Sequence, residues 1–451
     1  MNFNTLEFIL LFIPIVLLLF HSVPIVLRVP VLMIASLAFY GASGGIALVA
    51  MLFTVLWVYC SAFWLVRWPS AWLTLLAVAP PLLVLYLFKY LGFSLDAVGA
   101  GDDTRLHLQL FLSITLPAGI SFYTFQALSY SLDVADRRET PEKNFFTFVT
   151  YVSAFPQLIA GPIVRFGEMR DQLHRLASEP RIGADFATGL KFFSIGLFMK
   201  TVVADASAAL VRVHFHLETN TSSLDALYAT LSYSFRIYYD FWAYSVMAIG
   251  LGKMIGINLP RNFLEPYLSR TPREFWRRWH VTLSYFLRDY VYIKLGGNRR
   301  YVINILIVFL LCGLWHGAGW NFVLWGAYHG LLVVLYHLFR RPWDRLPGIL
   351  QIALTFMLVS LGWPLFQYDL DRYVQLLGQL FSFSGTMKGF GPQHWVYLGA
   401  IAGWTFLSRE SRWLYNPTPW PVFNSPVVHA GLLCLSVLLF NFRDTFIYFR
   451  F

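Results

Sequence analysis

Charge-free apolar runs follow one another along this chain from end to end. Between Tyr301 and Phe339 lie 39 residues without an Asp, Glu, Lys or Arg, and one helical crossing of a bilayer takes roughly 20 apolar residues. That run predicts two crossings or a shorter re-entrant pair. Similar stretches are Phe8–Leu27, Val29–Val66, Trp68–Phe88, Leu106–Leu132, Asn144–Val164, Leu346–Tyr368, Gly389–Ser408 and Trp413–Phe442. They are continuous rather than alternating, which predicts helices and argues against a β-barrel. The expected fold class is an all-α polytopic membrane protein with about ten to thirteen transmembrane or re-entrant helices.

The polar intervals orient these spans. Gly252 to Arg300 carries ten Lys or Arg against three acids, and Arg165 to Arg181 and Arg340 to Arg345 are also basic. Such loops are expected on the cytoplasmic side, beside anionic lipid. The short acidic loops Gly99–Arg105 and Glu218–Asp225 are expected on the periplasmic side. With basic clusters at both ends, Tyr301–Phe339 reads as a hairpin with cytoplasmic ends. His316 then lies near the outer face if the crossing is complete, or near the midplane if it is re-entrant. No soluble domain is expected: residues 1–451 read as one membrane domain, with N-terminal helices to 140, a core at 141–345 and C-terminal helices at 346–451. Met1–Glu7 lacks a basic leader, so the first span is expected to be retained rather than cleaved.

Composition sharpens this picture. The 451 residues are 57% hydrophobic and 13% charged, where a soluble chain carries about 25% charged residues. The net charge of +10 belongs to the loops. No nucleic-acid-binding pattern accompanies it, and no nucleic-acid partner is expected. Cys60, Cys312 and Cys434 form no CxxC pair and read as small buried hydrophobes. A Cys312–His316 dyad, one helical turn apart, is the alternative for one of them.

Candidate chemistry centres on Leu311-Cys-Gly-Leu-Trp-His316-Gly-Ala-Gly-Trp-Asn321. A histidine can stay neutral in an apolar setting and still accept a proton. It can equally be a hydrogen-bonded packing residue, or, with His329 and His337, a haem ligand. A second candidate is Thr271–Tyr290, which reads as one amphipathic helix with Thr271 as N-cap, Pro272 in the first turn and Glu274 at capping-box spacing. On it, Trp276, His280, Leu283 and Leu287 share a face, and Arg273, Arg277, Ser284 and Arg288 share the next. Two readings stay open: an interfacial helix whose arginines meet lipid phosphates, or a helix that turns His280 inward and binds an anionic substrate. A third element, Phe155-Pro-Gln-Leu-Ile-Ala-Gly-Pro-Ile-Val-Arg165, breaks an apolar run with two prolines and a glycine. It is either a kinked helix or a segment lining a cavity. P-loop, HExxH, EF-hand and His-x4-Asp patterns are absent, and no metal site is expected. The one GxSxG spelling, Gly41–Gly45, lacks a strand-then-helix setting.

The motifs Phe155–Ile163, Glu274-Phe-Trp-Arg-Arg-Trp-His280, Arg288-Asp-Tyr-Val-Tyr-Ile293, Leu295-Gly-Gly-Asn-Arg299, Gly313-Leu-Trp-His-Gly-Ala318, Trp325-Gly-Ala-Tyr-His-Gly330 and the ending Phe446-Ile-Tyr-Phe-Arg-Phe451 together resemble the membrane-bound O-acyltransferase (MBOAT) superfamily. Within it they resemble the bacterial branch that O-acetylates exopolysaccharides of the alginate type. Tyr238–Val246 departs from that pattern, with Trp242, Ala243 and Val246 in place of the usual Ser, Gly and Asp. Glu265 also stands where a neutral residue is common.

The resemblance implies helices around a central tunnel and an acyl transfer, most simply of acetyl, across the bacterial inner membrane. It assigns His316 as general base and His280 as the second polar catalytic group. Arg273, Arg277 and Arg278 become donor-binding residues, and Trp315, Asn321, Pro156 and Gln157 substrate-binding ones. The donor would be acetyl-CoA or an acyl-phosphopantetheine carrier, with no bound cofactor. The acceptor would be a polysaccharide or a periplasmic acetylation partner protein. D-Alanyl transfer from a carrier to teichoic acid is the nearest alternative. A transporter or flippase is the alternative of another class, for which matching inverted repeats are not evident.

Overall fold

The computed structural model describes residues 3–108, 112, 116–159, 161–180, 183–208, 222–383, 391–415 and 425–439. Arg181, the first part of the acidic loop that starts at Glu218, and the ending Phe446–Phe451 lie outside the described residues. Helices dominate, and no strand occurs among the described residues. In chain order the main ones are α1 (Phe8–Ser22), α2 (Arg28–Gly41), α3 (Gly45–Arg67), α4 (Ala71–Ala97), α5 (Ile120–Ala135), α6 (Phe145–Ser153), α7 (Phe166–Ser178), α8 (Phe186–Ala208), α9 (Ser223–Met254), α10 (Pro272–Arg278), α11 (Val281–Leu287), α12 (Tyr301–His316), α13 (Trp320–Leu338), α14 (Gly348–Gly362), α15 (Leu370–Leu380), α16 (Pro392–Leu407) and α17 (Pro426–Leu438). Six described helices are long and apolar enough to cross a membrane: α3, α4, α8, the stretch ending in α12, α13 and the stretch beginning with α14. The protein is an all-α, multi-pass membrane protein.

Two compact units are present. The first comprises Met1–Phe193 and Met247–Pro260. In it α3 packs on α4 and α5, and α2 packs on α6. The proline-broken segment belongs here. Phe155–Leu158 forms a single turn with Pro156 at its start. The Gln157 amide nitrogen donates to the Tyr151 carbonyl at 2.6 Å, and the Phe155 N–H donates to Ser36 Oγ at 3.0 Å. These bonds satisfy the Phe155 N–H and the Tyr151 carbonyl, which lose each other as partners where the helix ends at Ser153. Gly41–Gly45 is the turn between α2 and α3, with Gly44 at φ +126°, so the GxSxG spelling is a helix–helix connection.

The second unit comprises Ser194–Val246 and Arg261–Phe451. Its centre is the antiparallel pair α12–α13, joined by Gly317–Gly319, and α10, α14 and the turn Trp363–Phe366 pack against α13. The run Tyr301–Phe339 is thus a hairpin of two helices. Glycines allow its close contact. A Cβ on Gly326 would overlap the Phe309 carbonyl, and one on Gly313 would overlap the Phe322 carbonyl.

Two expectations are corrected. Thr271–Tyr290 is not one helix: α10 ends at Arg278, α11 starts at Val281, and His280 between them has φ +45° and ψ +55°. The break forms because Asn262 offers the backbone other partners. Its carbonyl accepts the Val281 N–H at 2.9 Å, and its Oδ1 accepts the Thr282 N–H at 3.3 Å and the Thr282 hydroxyl at 2.7 Å. The shared faces drawn through His280 therefore do not exist as one surface. Second, only Cys312 is buried, while Cys60 and Cys434 are exposed. A continuous apolar run does not distinguish a core face from a face that a bilayer would cover.

Candidate active site

His316 is the last residue of α12, and His280 occupies the break between α10 and α11. Both are buried, at 3% and 1% exposure. Their ring centroids lie 6.3 Å apart, with planes inclined by 46°. The chain must bend sharply for His280 to reach this position. A left-handed conformation is uncommon outside glycine, though histidine is among the residues enriched there, and it costs about 1–3 kcal/mol. The bonds to Asn262 hold it in place. Burial pushes the His280 imidazole down to about 3, so it is neutral at any physiological pH.

Aromatic rings enclose both imidazoles. His316 contacts Trp315 at 4.9 Å, Trp325 at 5.0 Å and Phe366 at 5.1 Å between centroids. His280 meets Phe241 edge-on at 4.7 Å and Trp315 at 5.6 Å. Trp315 therefore touches both histidines, while Asn321 acts one step away. Its amide nitrogen donates to the Leu365 carbonyl at 2.8 Å, which ties α13 to the turn carrying Phe366. His329 is a third buried imidazole of the cluster, between Trp325 at 4.8 Å and Trp276 at 5.1 Å. His337 instead lies at the surface against Tyr301. No group of three or more metal-ligating side chains occurs among the described residues.

The predicted cap of α10 forms. Thr271 Oγ1 accepts the Glu274 N–H at 3.0 Å, a contact worth about 1 kcal/mol. Glu274 reaches one residue further back than a capping box requires, accepting the Arg270 N–H at 2.7 Å, and its other oxygen accepts from Arg278 at 2.6 Å. That pair turns Arg278 along the helix. Arg273 and Arg277 instead line a cavity of about 480 Å³ together with Arg288, Tyr285, Tyr292 and Asn298. Most of its remaining wall is apolar, from Phe309, Val308, Ile305, Val333 and Cys312 among others, with Ser284 and Tyr301 also present. A volume near 500 Å³ with a few convergent polar groups is that of a small-molecule site. Cys312 is on the helical turn before His316. Arg288 shares the expected anion-binding face, whereas Tyr285, Tyr292 and Asn298 are not among the expected site residues. The signal was present in the Arg288–Ile293 and Leu295–Arg299 motifs, but their convergence needs the fold. Gly296 and Gly297, at φ +93° and +56°, form the turn that brings Asn298 back, where Oδ1 accepts the Tyr292 hydroxyl at 2.7 Å. Pro156 and Gln157 lie in the first unit.

Comparison with known proteins identifies the family. The family model of the membrane-bound O-acyltransferase family matches residues 64–366. The probable alginate O-acetylase AlgI of Azotobacter vinelandii is 39% identical over 405 residues, covering 85% of this chain and 78% of that protein. The peptidoglycan O-acetyltransferase of Helicobacter pylori is 36% identical over 338 residues, covering 67% and 63%. The teichoic acid D-alanyltransferase of Bacillus subtilis is 27% identical over 267 residues, covering 55% and 68%. With a matching model across its central hairpin and relatives of this similarity over most of its length, the chain belongs to the membrane-bound O-acyltransferase family and is a membrane-bound O-acyltransferase.

Proposed function

We propose that this acyltransferase, in a bacterial inner membrane, moves an acetyl group from a cytoplasmic thioester to a hydroxyl of an exopolysaccharide or of a periplasmic acetylation partner. The observation that carries this reading is the pairing of two buried imidazoles, 6.3 Å apart, with an arginine-lined cavity whose apolar wall reaches the turn before His316. The donor is acetyl-CoA or an acyl-phosphopantetheine carrier. Its phosphates meet Arg273 and Arg277, beside Arg288, which Asp289 holds by two hydrogen bonds, and its thioester stem follows the apolar wall past Cys312.

His316 serves as general base. As the acceptor oxygen attacks the thioester carbonyl, His316 takes its proton. The tetrahedral oxyanion then collapses, the carbon–sulfur bond breaks, and His316 returns the proton to the leaving thiolate. His280, held neutral by burial, donates its ring N–H to the oxyanion. Trp315 packs against both rings and fixes their relative placement. Arg278 acts through Glu274, and Asn321 through the turn at Leu365. Pro156 and Gln157 take no part in this scheme. The higher similarity to the O-acetylase than to the D-alanyltransferase supports acetyl over D-alanyl.

The test is His316→Ala, with surface polysaccharide analysed by mass spectrometry. Expected is a folded, membrane-inserted protein whose product carries no acetyl. Unchanged product acetylation overturns the assignment of the base.

A further inference from the structure

Two further cavities lie in the second unit, lined by none of the residues assigned to the candidate active site. One is small, about 20 Å³, and lined by Tyr238, Tyr267, Ser408, Glu265 and Glu410 among others. The other is an apolar groove of about 410 Å³, lined by Ile195, Phe198 and Val202 of α8, Ala400 of α16 and Leu432 of α17 among others. Tyr239, Trp404 and Trp413 line both.

Glu410 is the unusual group. It is only 6% exposed. Its Oε2 accepts from the Trp242 indole N–H, and the Glu265 backbone also acts on the carboxyl, while its Oε1 is buried without a hydrogen bond of full geometry among the described residues. A buried, unsatisfied carboxylate oxygen carries a desolvation penalty of about 1–3 kcal/mol or more. Burial accordingly pushes the carboxyl up to about 8, so it is largely protonated at neutral pH until a cation beside it favours the carboxylate. Glu265 adds negative charge beside it, held at φ +53° with Oε1 accepting from the Ser411 N–H and hydroxyl. Indole and phenol faces around the pocket favour a cation as well. Arg261 lies over the Tyr415 ring at 3.2 Å and acts electrostatically on Glu410. The neighbourhood thus presents carboxylates, one guanidinium and a long apolar groove.

We propose that this is a binding site for a membrane phospholipid with a primary ammonium headgroup, of the phosphatidylethanolamine kind. The ammonium donates to Glu410 Oε1, the phosphodiester faces Arg261, and one acyl chain lies in the groove. The size of the small pocket sets the headgroup. One water needs about 10–15 Å³, so 20 Å³ admits –NH₃⁺ and rejects a trimethylammonium. An anionic glycerol headgroup supplies no cation for Glu410.

The experiment is native mass spectrometry of the full-length protein in detergent, exchanged with equimolar phosphatidylethanolamine, phosphatidylcholine and phosphatidylglycerol of matched chains. A charge-assisted hydrogen bond corresponds to about tenfold in retention, which is the expected preference for phosphatidylethanolamine. Glu410→Gln keeps an acceptor for Trp242 and is expected to abolish the preference. Ala400→Phe fills the groove and is expected to reduce retention of all three lipids. Glu265→Gln, at a partly exposed position, serves if Glu410→Gln is not monodisperse, and is expected to weaken the preference. Equal retention of the three lipids by the unmodified protein overturns the proposal, as does a preference that survives whichever of these Glu→Gln changes is monodisperse.

Discussion

Gly313 and Phe322 meet so closely across the hairpin that a methyl group on Gly313 would overlap the Phe322 carbonyl oxygen, and would touch Gly326 Cα at 3.2 Å. The obstacle is helical backbone, which cannot rotate away as a side chain could. Gly313 lies one turn before His316, so the strain of Gly313→Ala falls on the proposed base. Overpacking of this kind costs about 1–3 kcal/mol, and displacing a reacting group by about 1 Å costs on the order of 100-fold in rate. Gly313→Ala is therefore expected to lose most acetyl transfer while still inserting into the membrane. Gly399→Ala, where nothing lies within 4 Å of the added methyl, is the control and should be neutral. Product acetylation per mole of inserted protein checks both.

His280 makes a prediction about pH. Its folded-state value of about 3 lies below the ordinary 6.5, so between those values the unfolded chain binds a proton that the folded protein does not. Stability therefore rises with pH across that window, by up to about 1.4 kcal/mol per unit. It is complete above 6.5 and lost progressively as pH falls toward 3. His280→Gln keeps an N–H donor and removes the titration. The gap in unfolding temperature between pH 7 and pH 4.5 should be smaller in this variant than in the unmodified protein. An equal gap in both would show that the imidazole is not the buried neutral group described.

Much of this arrangement was legible before folding, and the remainder failed for identifiable reasons. The hairpin α12–α13 follows from a continuous apolar run with glycines at its turn, because the run leaves the backbone no choice but helix. The break at His280 is not written in its neighbourhood. Local periodicity from Thr271 to Tyr290 fits one helix, and the bonds that overrule it come from Asn262, far upstream in sequence. The arginine cavity was half legible. Arg273 and Arg277 share a helical face, but Arg278 is claimed by Glu274 four residues earlier, and Arg288 and Asn298 arrive from other elements. Cys60 and Cys434 match a core pattern in the sequence yet are exposed, because lipid and protein core select the same side chains.

The arginines separate donor binding from helix stability. Arg273 and Arg277 line the cavity, whereas Arg278 pairs with Glu274 in a half-exposed i,i+4 contact worth about 0.3–0.5 kcal/mol. Arg273→Ala with Arg277→Ala is expected to raise the KM for the thioester donor about tenfold or more with a smaller change in kcat, each lost phosphate contact being worth about 1.5–3 kcal/mol before solvent screening. Arg278→Ala should leave KM within about twofold. Initial rates at varied donor concentration in proteoliposomes decide this. If the double variant leaves KM unchanged, these side chains meet lipid phosphates instead.

Asn262 offers the sharpest test of how the site is assembled, because it touches neither substrate in the proposed scheme. Its Oδ1 accepts from both the N–H and the hydroxyl of Thr282. Asn262→Ala strands two buried donors, at a cost of about 1–3 kcal/mol each if no water replaces the bond. With the side-chain bonds gone and only the backbone carbonyl of residue 262 still accepting the Val281 N–H, the left-handed conformation at His280 is held less firmly, and the imidazole shifts relative to His316. Thr282→Val removes only the hydroxyl and keeps the backbone bond, so it should cost less. The expected order of activity is unmodified protein, then Thr282→Val, then Asn262→Ala, with kcat falling and the donor KM nearly constant, since the arginine cavity is untouched. A loss expressed in KM, or equal activity in all three proteins, would mean that His280 is not held for catalysis by this bond.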